Sequence, residues 1–386
     1  MIPPKKIKHF FFSGFVCLLF SCITTEFTSR YSTSIEQPVS TIEDGWLSNY
    51  FELDRIVPIE TTDSFVMSEG IKRFIQYKNK LIFLDYFTAS IYVADAYSGK
   101  IETYINRKGR GPGEWHRVMD ISFGDQNEQI LAYNDYQKLL YFSLDGTFIK
   151  EERVNNKLYG EIMYHDGNLI FYNHGVGISC YPYLIDIYHL ADRTWKTIGS
   201  NQKVDFQGRK GCLMVKSKNI WYAPTLDMGL HILDMDSNVI KTPYRLEVKN
   251  PLTKNIQKMF IKSDYRSFHR EVSQRGILYL LSSIRETEKY IVFNTNYGLM
   301  MLNKNSLEIN GMWRMFDEYL GIYLSRYYPH DSDDNRIMFI VGSDDWFKRN
   351  PTAQNIPEHL KAQIEMVKVD EKIESNPILV FYKEKQ

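Results

Sequence analysis

Short runs of alternating apolar and polar residues fill the chain beyond residue 50, and turn residues separate these runs. Residues 81–85 form one run, residues 91–95 the next and residues 101–105 a third, with the tight turn Ser98-Gly99 before the last. Alternation with a period of two places every second side chain on the same face, as in a half-buried strand. The pattern therefore predicts antiparallel strands joined by short turns.

The same unit of three strands recurs along the chain. Its copies begin at Leu81, Ile130, Leu169, Ile220, Tyr290 and Ile337. A period of roughly 40–50 residues with three or four strands per repeat is typical of propeller blades. The sequence therefore predicts an all-β fold, a six-bladed β-propeller. The long interval between Ile220 and Tyr290 has room for another strand pair, so a seventh blade stays open.

One helical pattern interrupts the strands, near residues 357–367. Leu360, Ile364 and Val367 fall on one helical face, and Asn355 with Glu358 forms a capping-box pattern at its start. The strand pattern then returns, which predicts one short helical insertion in the last blade.

The two ends of the repeat array each carry an incomplete unit. An apolar strand at residues 55–59 precedes the first full unit, and the strand at residues 377–382 has no fourth strand after it. A propeller must join its first and last blades, because otherwise edge strands keep unpaired amides. We expect these two segments to pair, so that the N-terminal strand completes the last blade.

The N-terminus has the features of an export signal. Lys5, Lys6 and Lys8 precede an apolar run at residues 10–20, which is too short to span a bilayer as a helix and fits a signal peptide. The following Leu19-Phe20-Ser21-Cys22 resembles the lipobox of bacterial lipoproteins. This resemblance implies cleavage before Cys22 and lipidation of that residue, and the alternative is an ordinary secretory signal with an incidental cysteine.

Three segments follow from these patterns. Residues 1–21 are predicted to be the signal peptide, residues 22–49 the lipidated cysteine and a flexible Ser/Thr-rich tether, and residues 50–386 the propeller domain. The remaining Cys180 and Cys212 could pair in an oxidising compartment, although buried free thiols are the favoured interpretation.

The charge balance excludes one class of partner. Lys and Arg number 47 and Asp and Glu also number 47, whereas a nucleic-acid-binding protein normally carries a basic excess that neutralises phosphates. We therefore predict no nucleic-acid partner.

Four stretches resemble a known family. They are residues 55–62, Gly109-Arg-Gly-Pro-Gly-Glu114, the hairpin around Asp85, and Asn376-Pro-Ile-Leu-Val. Together they resemble the six-bladed β-propeller lipoproteins of Bacteroidetes-type bacteria, which are relatives of the NHL-repeat propellers. The hairpin near Ile220 departs from the family, with Ala223-Pro224 where Asp or Asn is usual. The resemblance implies a fold and a place in the bacterial envelope, most simply the outer membrane, and no reaction.

The loop at residues 106–117 is the most unusual segment. Gly109, Gly111 and Gly113 alternate among basic residues, and glycine amides can bind anions. However, Pro112 removes one donor and no Lys-Ser/Thr pair follows, so a nucleotide loop is disfavoured. Partial echoes at residues 208–211 and at Arg275-Gly276 favour a structural crossover between blades. The alternative is a ligand contact at the channel mouth, with Arg107, Lys108, Arg110, Glu114 and Trp115 as candidates.

No catalytic or metal-binding set stands out. Asp85 and Asp135 occupy similar loop positions, where Asx-type turns are the favoured interpretation. Asp331, Asp333, Asp334 and Asn335 imitate the start of a calcium loop, but Arg336 and Gly342 stand where Gly and Glu are needed. We therefore predict no cofactor, no metal and no catalytic residues. Most aromatic residues are assigned to the core, and Trp115, Trp313 and Trp346 are candidates for exposure.

The sequence leaves two functions open. The favoured hypothesis is a lipid-anchored binding or scaffold module, which holds a partner protein or a carbohydrate-like ligand at one channel mouth. The alternative is a polysaccharide-active lyase or glycoside hydrolase, because loops on a propeller can bring catalytic groups together in ways that the sequence does not reveal.

Overall fold

The computed structural model of the chain describes residues 33–37, 45–62, 65–68, 70–124, 126–154, 157–172, 184–199, 215–216, 220–224, 226–237, 239–248, 250–262, 264–312, 315–324, 328–330, 335–342, 357–367 and 376–386. The predicted signal peptide, Cys22, Cys180 and Cys212 lie outside these residues. Within the described part, no helix has both the length and the apolar composition that crossing a membrane requires.

The described strands form seven separate sheets, which we number as blades 1–7 in chain order. Blade 1 contains β4 (Ile71–Tyr77), β5 (Lys80–Asp85), β6 (Ser90–Asp95) and β7 (Ile101–Ile105). Blade 2 contains β8 (Val118–Gly124), β9 (Gln129–Asn134), β10 (Lys138–Ser143) and β11 (Phe148–Arg153). Blade 3 contains β12 (Glu161–His165), β13 (Asn168–Tyr172), β14 (Leu184–His189) and β15 (Trp195–Gly199).

The second half of the chain supplies the other four blades. Blade 4 contains β16 (Val215–Lys216), β17 (Ile220–Tyr222), β18 (Gly229–Asp234) and β19 (Val239–Val248), and β1 (Thr33–Gln37) joins its outer edge. Blade 5 contains β20 (Leu281–Glu286), β21 (Tyr290–Thr295), β22 (Gly298–Asn303) and β23 (Ile309–Met312). Blade 6 contains β2 (Gly45–Trp46), β24 (Met315–Asp317) and β25 (Ile322–Tyr323). Blade 7 contains β26 (Pro329–His330), β27 (Arg336–Val341), β28 (Ile378–Glu384) and β3 (Phe51–Pro58).

The prediction of an all-β propeller is confirmed, but the count of six blades is wrong, because the structure has seven. Blade 6 is the sheet that the sequence does not reveal. Its strands are only two or three residues long, and one of them comes from the N-terminal segment. Such a sheet leaves no recognisable copy of the repeat along the chain.

The core lies between neighbouring blades, and this explains why the middle strands are apolar on both faces. In β5, Ile82 and Leu84 pack in one cluster with Ile121 of blade 2. The alternate residues Leu81 and Phe83 pack in a second cluster with residues of blade 7. Each blade is thus covered on two sides, and its inner strands need apolar residues at consecutive positions.

The predicted ring closure is confirmed. Strand β28 pairs antiparallel with β3, from Ile378 opposite Pro58 to Glu384 opposite Phe51. The guanidinium of Arg55 lies 4.1 Å from the ring centroid of Phe381, its partner in the ladder. The N-terminal strand therefore completes blade 7.

The folded part begins earlier than the predicted boundary at residue 50. Within the predicted tether, β1 pairs in parallel with residues 244–248 of β19, and β2 pairs in parallel with β24. A 3-10 helix, Leu47–Asn49, follows β2, and Leu47 is completely buried. Residues 33–37 and 45–49 are thus elements of the fold.

Three α-helices are described, where the sequence predicts one. The predicted helix is present as α3 (Glu358–Val367), but it lies beside the sheet, where Gln363 Oε1 accepts from the Ile56 N–H at 3.0 Å, and it is not clearly part of the last blade. The other two, α1 (Lys254–Ile261) and α2 (Tyr265–Arg275), occupy the long interval between Ile220 and Tyr290. Between β19 and β20 the described part of that interval is therefore a helical insertion.

Candidate functional site

The first strands of blades 1 and 2 are irregular at the same place. The register shifts between Ile71 and Arg73 in blade 1 and between Val118 and Asp120 in blade 2, so that Lys72 and Met119 are the bulged residues. A bulge leaves a residue unpaired in the ladder and redirects its side chain. Here the Lys72 Nζ donates to the carbonyl of Met119 and to that of Gly160, the latter at 2.6 Å. One ammonium group therefore joins three blades.

Charged residues follow both bulges, Arg73 in blade 1 and Asp120 in blade 2. A third, Glu161, is the first residue of β12. Arg73 Nε donates to Asp120 Oδ1 at 3.0 Å, and Arg73 Nη2 lies 3.7 Å from Glu161 Oε2. With Lys72 they form what we call the channel cluster, two cations and two carboxylates on the first strands of three blades. Burial lowers the pKa of Lys72, and the nearby carboxylates Asp120 and Glu161 oppose that shift.

An aromatic turn borders the channel cluster. It follows β5 and carries Tyr86, whose ring centroid lies 5.3 Å from Lys72 Nζ, and Phe87, whose side chain is 75% exposed. The Phe87 ring covers Gly70, where a Cβ atom would lie 2.3 Å from Phe87 Cδ2. Gly70 therefore allows this ring to lie directly against the backbone.

The turn is held in shape by Asp85, which is completely buried. Its carboxylate accepts from the amides of Phe87 and Thr88 at 3.1 and 3.2 Å, and from the amide and hydroxyl of Ser68 at 2.7 and 2.5 Å. The Asx-type interpretation of Asp85 is confirmed. All four bonds serve to fix the turn.

The equivalent residue in blade 2 is Asn134 and not Asp135, because β9 ends one residue earlier than the sequence indicates. Asn134 Oδ1 accepts from the amides of Tyr136 and Lys138, both at 3.0 Å. Asp135 instead accepts from the Arg117 amide at 3.2 Å. Its second oxygen lies 3.3 Å from His116 Nδ1.

The glycine-rich loop at residues 106–117 connects blade 1 to blade 2 at the same mouth. Trp115 is completely buried, and its Nε1 donates to the carbonyl of Ala89 at 2.9 Å. Glu114 accepts from the amide of Gly111 at 2.7 Å, and the Gly113 amide donates to Glu151 Oε2 at 2.9 Å. The loop thus uses its acidic and aromatic residues to fix the crossover.

The basic candidates of this loop have different surroundings. Arg107 lies over the Phe148 ring, with its guanidinium 5.5 Å from the centroid, whereas Lys108 and Arg110 are exposed. Two other segments have a similar sequence to this loop. The first, residues 208–211, lies outside the described residues. Gly276 ends α2 in the left-handed conformation with φ 61°, so Arg275-Gly276 marks a helix end.

A polar group lies beside the aromatic turn. The Asn106 side-chain amide donates to Ser90 Oγ at 3.0 Å and to the Tyr104 hydroxyl at 2.9 Å. Tyr104 is 41% exposed, and its ring contacts Phe65 with centroids 5.7 Å apart. We call Phe87, Tyr86, Tyr104 and Asn106 the rim. The sequence does not reveal it, because its members come from separate turns and strands.

Several candidate residues lie outside the part of the chain that the structure describes. They are Asp331, Asp333, Asp334, Trp313 and Trp346. Among the residues that are described, no group of three His, Cys, Asp or Glu side chains is placed to hold a metal ion.

Comparison with known proteins supports the fold. A family model described as "Domain of unknown function (DUF4934)" matches residues 34–383. A protein of Bacteroides fragilis, whose name assigns it to the exported proteins, has 16% sequence identity and a TM-score of 0.70, over 92% of this chain and 100% of that one. A DUF4221 family member from Bacteroides vulgatus has 11% identity and a TM-score of 0.52, over 87% and 98% of the two chains. Among curated proteins, none matches the chain.

Proposed function

This chain belongs to the DUF4934 family, and from that premise we propose that it is an exported β-propeller binding module for a carbohydrate-like ligand. The ligand docks on the rim of blade 1, above the channel cluster. The observation that carries this proposal is Phe87, a large apolar ring that is 75% exposed on a fixed turn. An exposed ring that the fold holds flat is a ready platform for a ligand.

The chemistry around Phe87 fits a sugar. The apolar C–H face of a pyranose can lie on an aromatic ring, while its hydroxyls need both donors and acceptors. Tyr104 offers a hydroxyl and Asn106 a carboxamide next to the turn, and Lys108 and Arg110 offer exposed donors on the adjacent loop. An apolar platform with a few convergent polar groups is the usual composition of a small-ligand site.

The carboxylates near the rim favour binding over cleavage. A glycoside hydrolase generally needs two carboxyl groups that reach the scissile bond, one as an acid and the other as a base or a nucleophile. Asp85 is committed to two hydrogen bonds within its turn and two from Ser68, and Asp120 is committed to Arg73 and a backbone amide. Their arrangement supports a structural role for both.

The location is the second part of the proposal. The matched Bacteroides fragilis protein is named as exported, and the N-terminal residues of this chain have the pattern of a lipoprotein signal. We place the mature chain in the bacterial envelope with its lipid on Cys22, most simply at the outer membrane. The NHL-repeat relationship remains a prediction.

The ligand proposal is tested with a glycan array of the mature chain, residues 22–386, followed by titration of the glycan that binds. Phe87→Ala should weaken that affinity by about tenfold or more, because the platform is lost. Tyr97→Ala is the matched control, since Tyr97 is 70% exposed but lies in the turn after β6, at the opposite ends of the strands. An array with no bound glycan contradicts the proposal, as does equal weakening by both substitutions.

The anchor is tested separately with labelled palmitate in cells. The unaltered chain should incorporate the label and partition into detergent, and Cys22→Ala should do neither. A Cys22→Ala chain that still incorporates palmitate would exclude this residue as the anchor.

A further inference from the structure

The helical insertion between blades 4 and 5 concentrates positive charge. Residues 253–276 contain six Lys and Arg residues against two Asp and Glu residues, in a chain whose total charge is zero. Five of the cations fall at regular places, and they are Lys254, Lys258, Lys262, Arg266 and Arg270, all exposed. We call these five residues the basic face.

In both helices the buried residues and the basic face lie on opposite sides. In α1, Ile256 and Phe260 are buried, and in α2, Phe268 and Val272 are buried. Each cation of a helix lies two residues, or about 200° of helical rotation, from a buried residue. The buried residues form one cluster with Ile277. The cations therefore lie on the exposed side of each helix, opposite the residues of this buried cluster.

The insertion is fixed to the propeller, so the basic face has a defined place. The Tyr297 hydroxyl in blade 5 donates to the carbonyl of Val272 at 3.1 Å. The Thr253 and Asp264 side chains cap the two helices, and accept from the amides of Ile256 and Ser267 at 3.4 and 3.3 Å. A rigid cationic surface attracts an anionic partner without first having to be ordered.

The N-terminal segment reaches the same part of the molecule. Strand β1 lies on β19, from Thr33 opposite Tyr244 to Gln37 opposite Val248, and α1 begins six residues after Val248 at Lys254. A groove lined by Arg245 and Val248 of β19 and by Leu252 and Gln257 lies between that strand and the insertion. The segment from Cys22 to Thr33 can span at most about 40 Å. A lipid on Cys22 therefore holds this side of the propeller near a membrane surface.

We infer that the basic face binds the anionic headgroups of the membrane to which the chain is anchored. This inference rests on the proposed lipid at Cys22, which supplies the first attachment and brings the basic face within reach of the headgroups. The lipid is the first attachment, and each Lys or Arg near an anionic membrane surface contributes to a second one. Binding through both would fix the orientation of the propeller, with blade 4 and the insertion toward the bilayer.

The test uses the mature chain, residues 22–386, made without its signal segment and therefore without lipid. This chain includes every residue that the structure describes. It is sedimented with vesicles of phosphatidylcholine alone or of phosphatidylcholine with phosphatidylglycerol. We expect binding only to the phosphatidylglycerol vesicles, with loss at high salt, because a surface attraction is screened beyond about one Debye length, ~10 Å at 0.1 M salt.

Two matched variants locate the effect. Lys258→Glu with Arg266→Glu reverses two charges of the basic face and should lower binding at least about tenfold. Lys100→Glu with Arg153→Glu changes the net charge equally at exposed positions of blades 1 and 2 and should leave binding intact. Equal loss in both variants, or equal binding to both vesicle types, overturns the inference. So does retention on a heparin column without any vesicle binding.

The outcome is independent of the anchor itself. Palmitate labelling of the full chain in cells reports the lipid on Cys22, and vesicle binding of the unlipidated chain reports the basic face. Failure of one measurement therefore does not imply failure of the other.

Discussion

The carboxylate of Asp120 accepts a hydrogen bond from the backbone amide of Ile162 at 2.9 Å, although the two residues belong to the first strands of different blades. Two residues along, Ser122 Oγ accepts from the Tyr164 amide at 2.6 Å. Side chains of β8 thus accept hydrogen bonds from the backbone of β12, although the two strands belong to separate sheets. Polar bonds therefore join blades 2 and 3 along their first strands.

The first prediction concerns this junction. Asp120→Ala should lower the free energy of unfolding by about 3–5 kcal/mol, because it leaves the largely buried side chain of Arg73 without its main partner. Ser122→Ala should cost only about 1–3 kcal/mol, since one neutral acceptor is lost. Urea unfolding of both variants gives the comparison. Equal, small losses would mean that blades 2 and 3 are joined by other contacts.

The second prediction separates the structural and exposed residues of the glycine-rich loop. Trp115→Ala should destabilise the chain by about 3–5 kcal/mol, because a fully buried indole is replaced by a cavity. Lys108→Ala and Arg110→Ala should change stability by no more than about 0.5 kcal/mol. The same three variants tested for glycan binding then show whether this loop takes part, since only a folded variant with weaker binding indicates a ligand contact.

The third prediction concerns a buried acid in blade 6. Burial raises the pKa of Asp317 to about 7, even though the Tyr382 hydroxyl and the amide of Tyr319 donate to its carboxyl group. The folded chain therefore keeps a proton on Asp317 that the unfolded chain releases near pH 4. Its contribution is fully present below about pH 4 and is lost as the pH rises through about 7.

Asp317→Asn isolates this effect, because the amide cannot titrate. We expect the stability of the unaltered chain, relative to Asp317→Asn, to fall as the pH rises from about 5 to about 8. Denaturant unfolding of both chains across this range provides the measurement. Parallel stability curves would show that Asp317 is already ionised in the folded chain at the acid end.

Much of the fold could be predicted from local patterns, and the failures have physical causes. The strands of blades 1 and 2 were recognisable as short apolar runs between turn residues, because their inner strands face a core on both sides. The helices α1 and α2 were missed because each is short, and the buried residues that mark its inner side, such as Ile256 and Phe260, are few and lie among polar residues.

The candidate site was harder to predict than the fold. Lys72, Asp120 and Glu161 are far apart along the chain, and only the packing of three neighbouring blades brings them together. By contrast, the glycine-rich loop is conspicuous in the sequence because its backbone is unusual. The structure uses that backbone to turn from one blade to the next, with Trp115 buried beneath it.

The last prediction concerns the closure of the ring by the N-terminal strand. Deletion of residues 23–44 removes only β1 among the described strands and should lower the melting temperature little, because β1 is an added edge strand on a complete sheet. Extension of the deletion through Glu60 also removes β2, the 3-10 helix that carries Leu47, and β3. Strand β3 buries Phe51, Leu53, Ile56 and Val57, each worth about 1.5–3 kcal/mol, which together rival a typical total stability of about 5–15 kcal/mol.

The longer deletion also removes Glu60, a hydrogen-bond partner of Asn376. The Asn376 side-chain amide donates to the carbonyls of Glu60 and Phe65 at 2.6 and 2.7 Å, and its oxygen accepts from the Met67 amide at 2.6 Å. Asn376→Ala, which keeps every strand, should therefore give an intermediate loss in a thermal melt. Hydrogen exchange then distinguishes a loosened ring from a frayed end, because loss of closure should speed exchange in blade 5 as well as in blade 7. Equal melting temperatures for the two deletions, or faster exchange in blade 7 alone, would mean that the other blades hold together without β3.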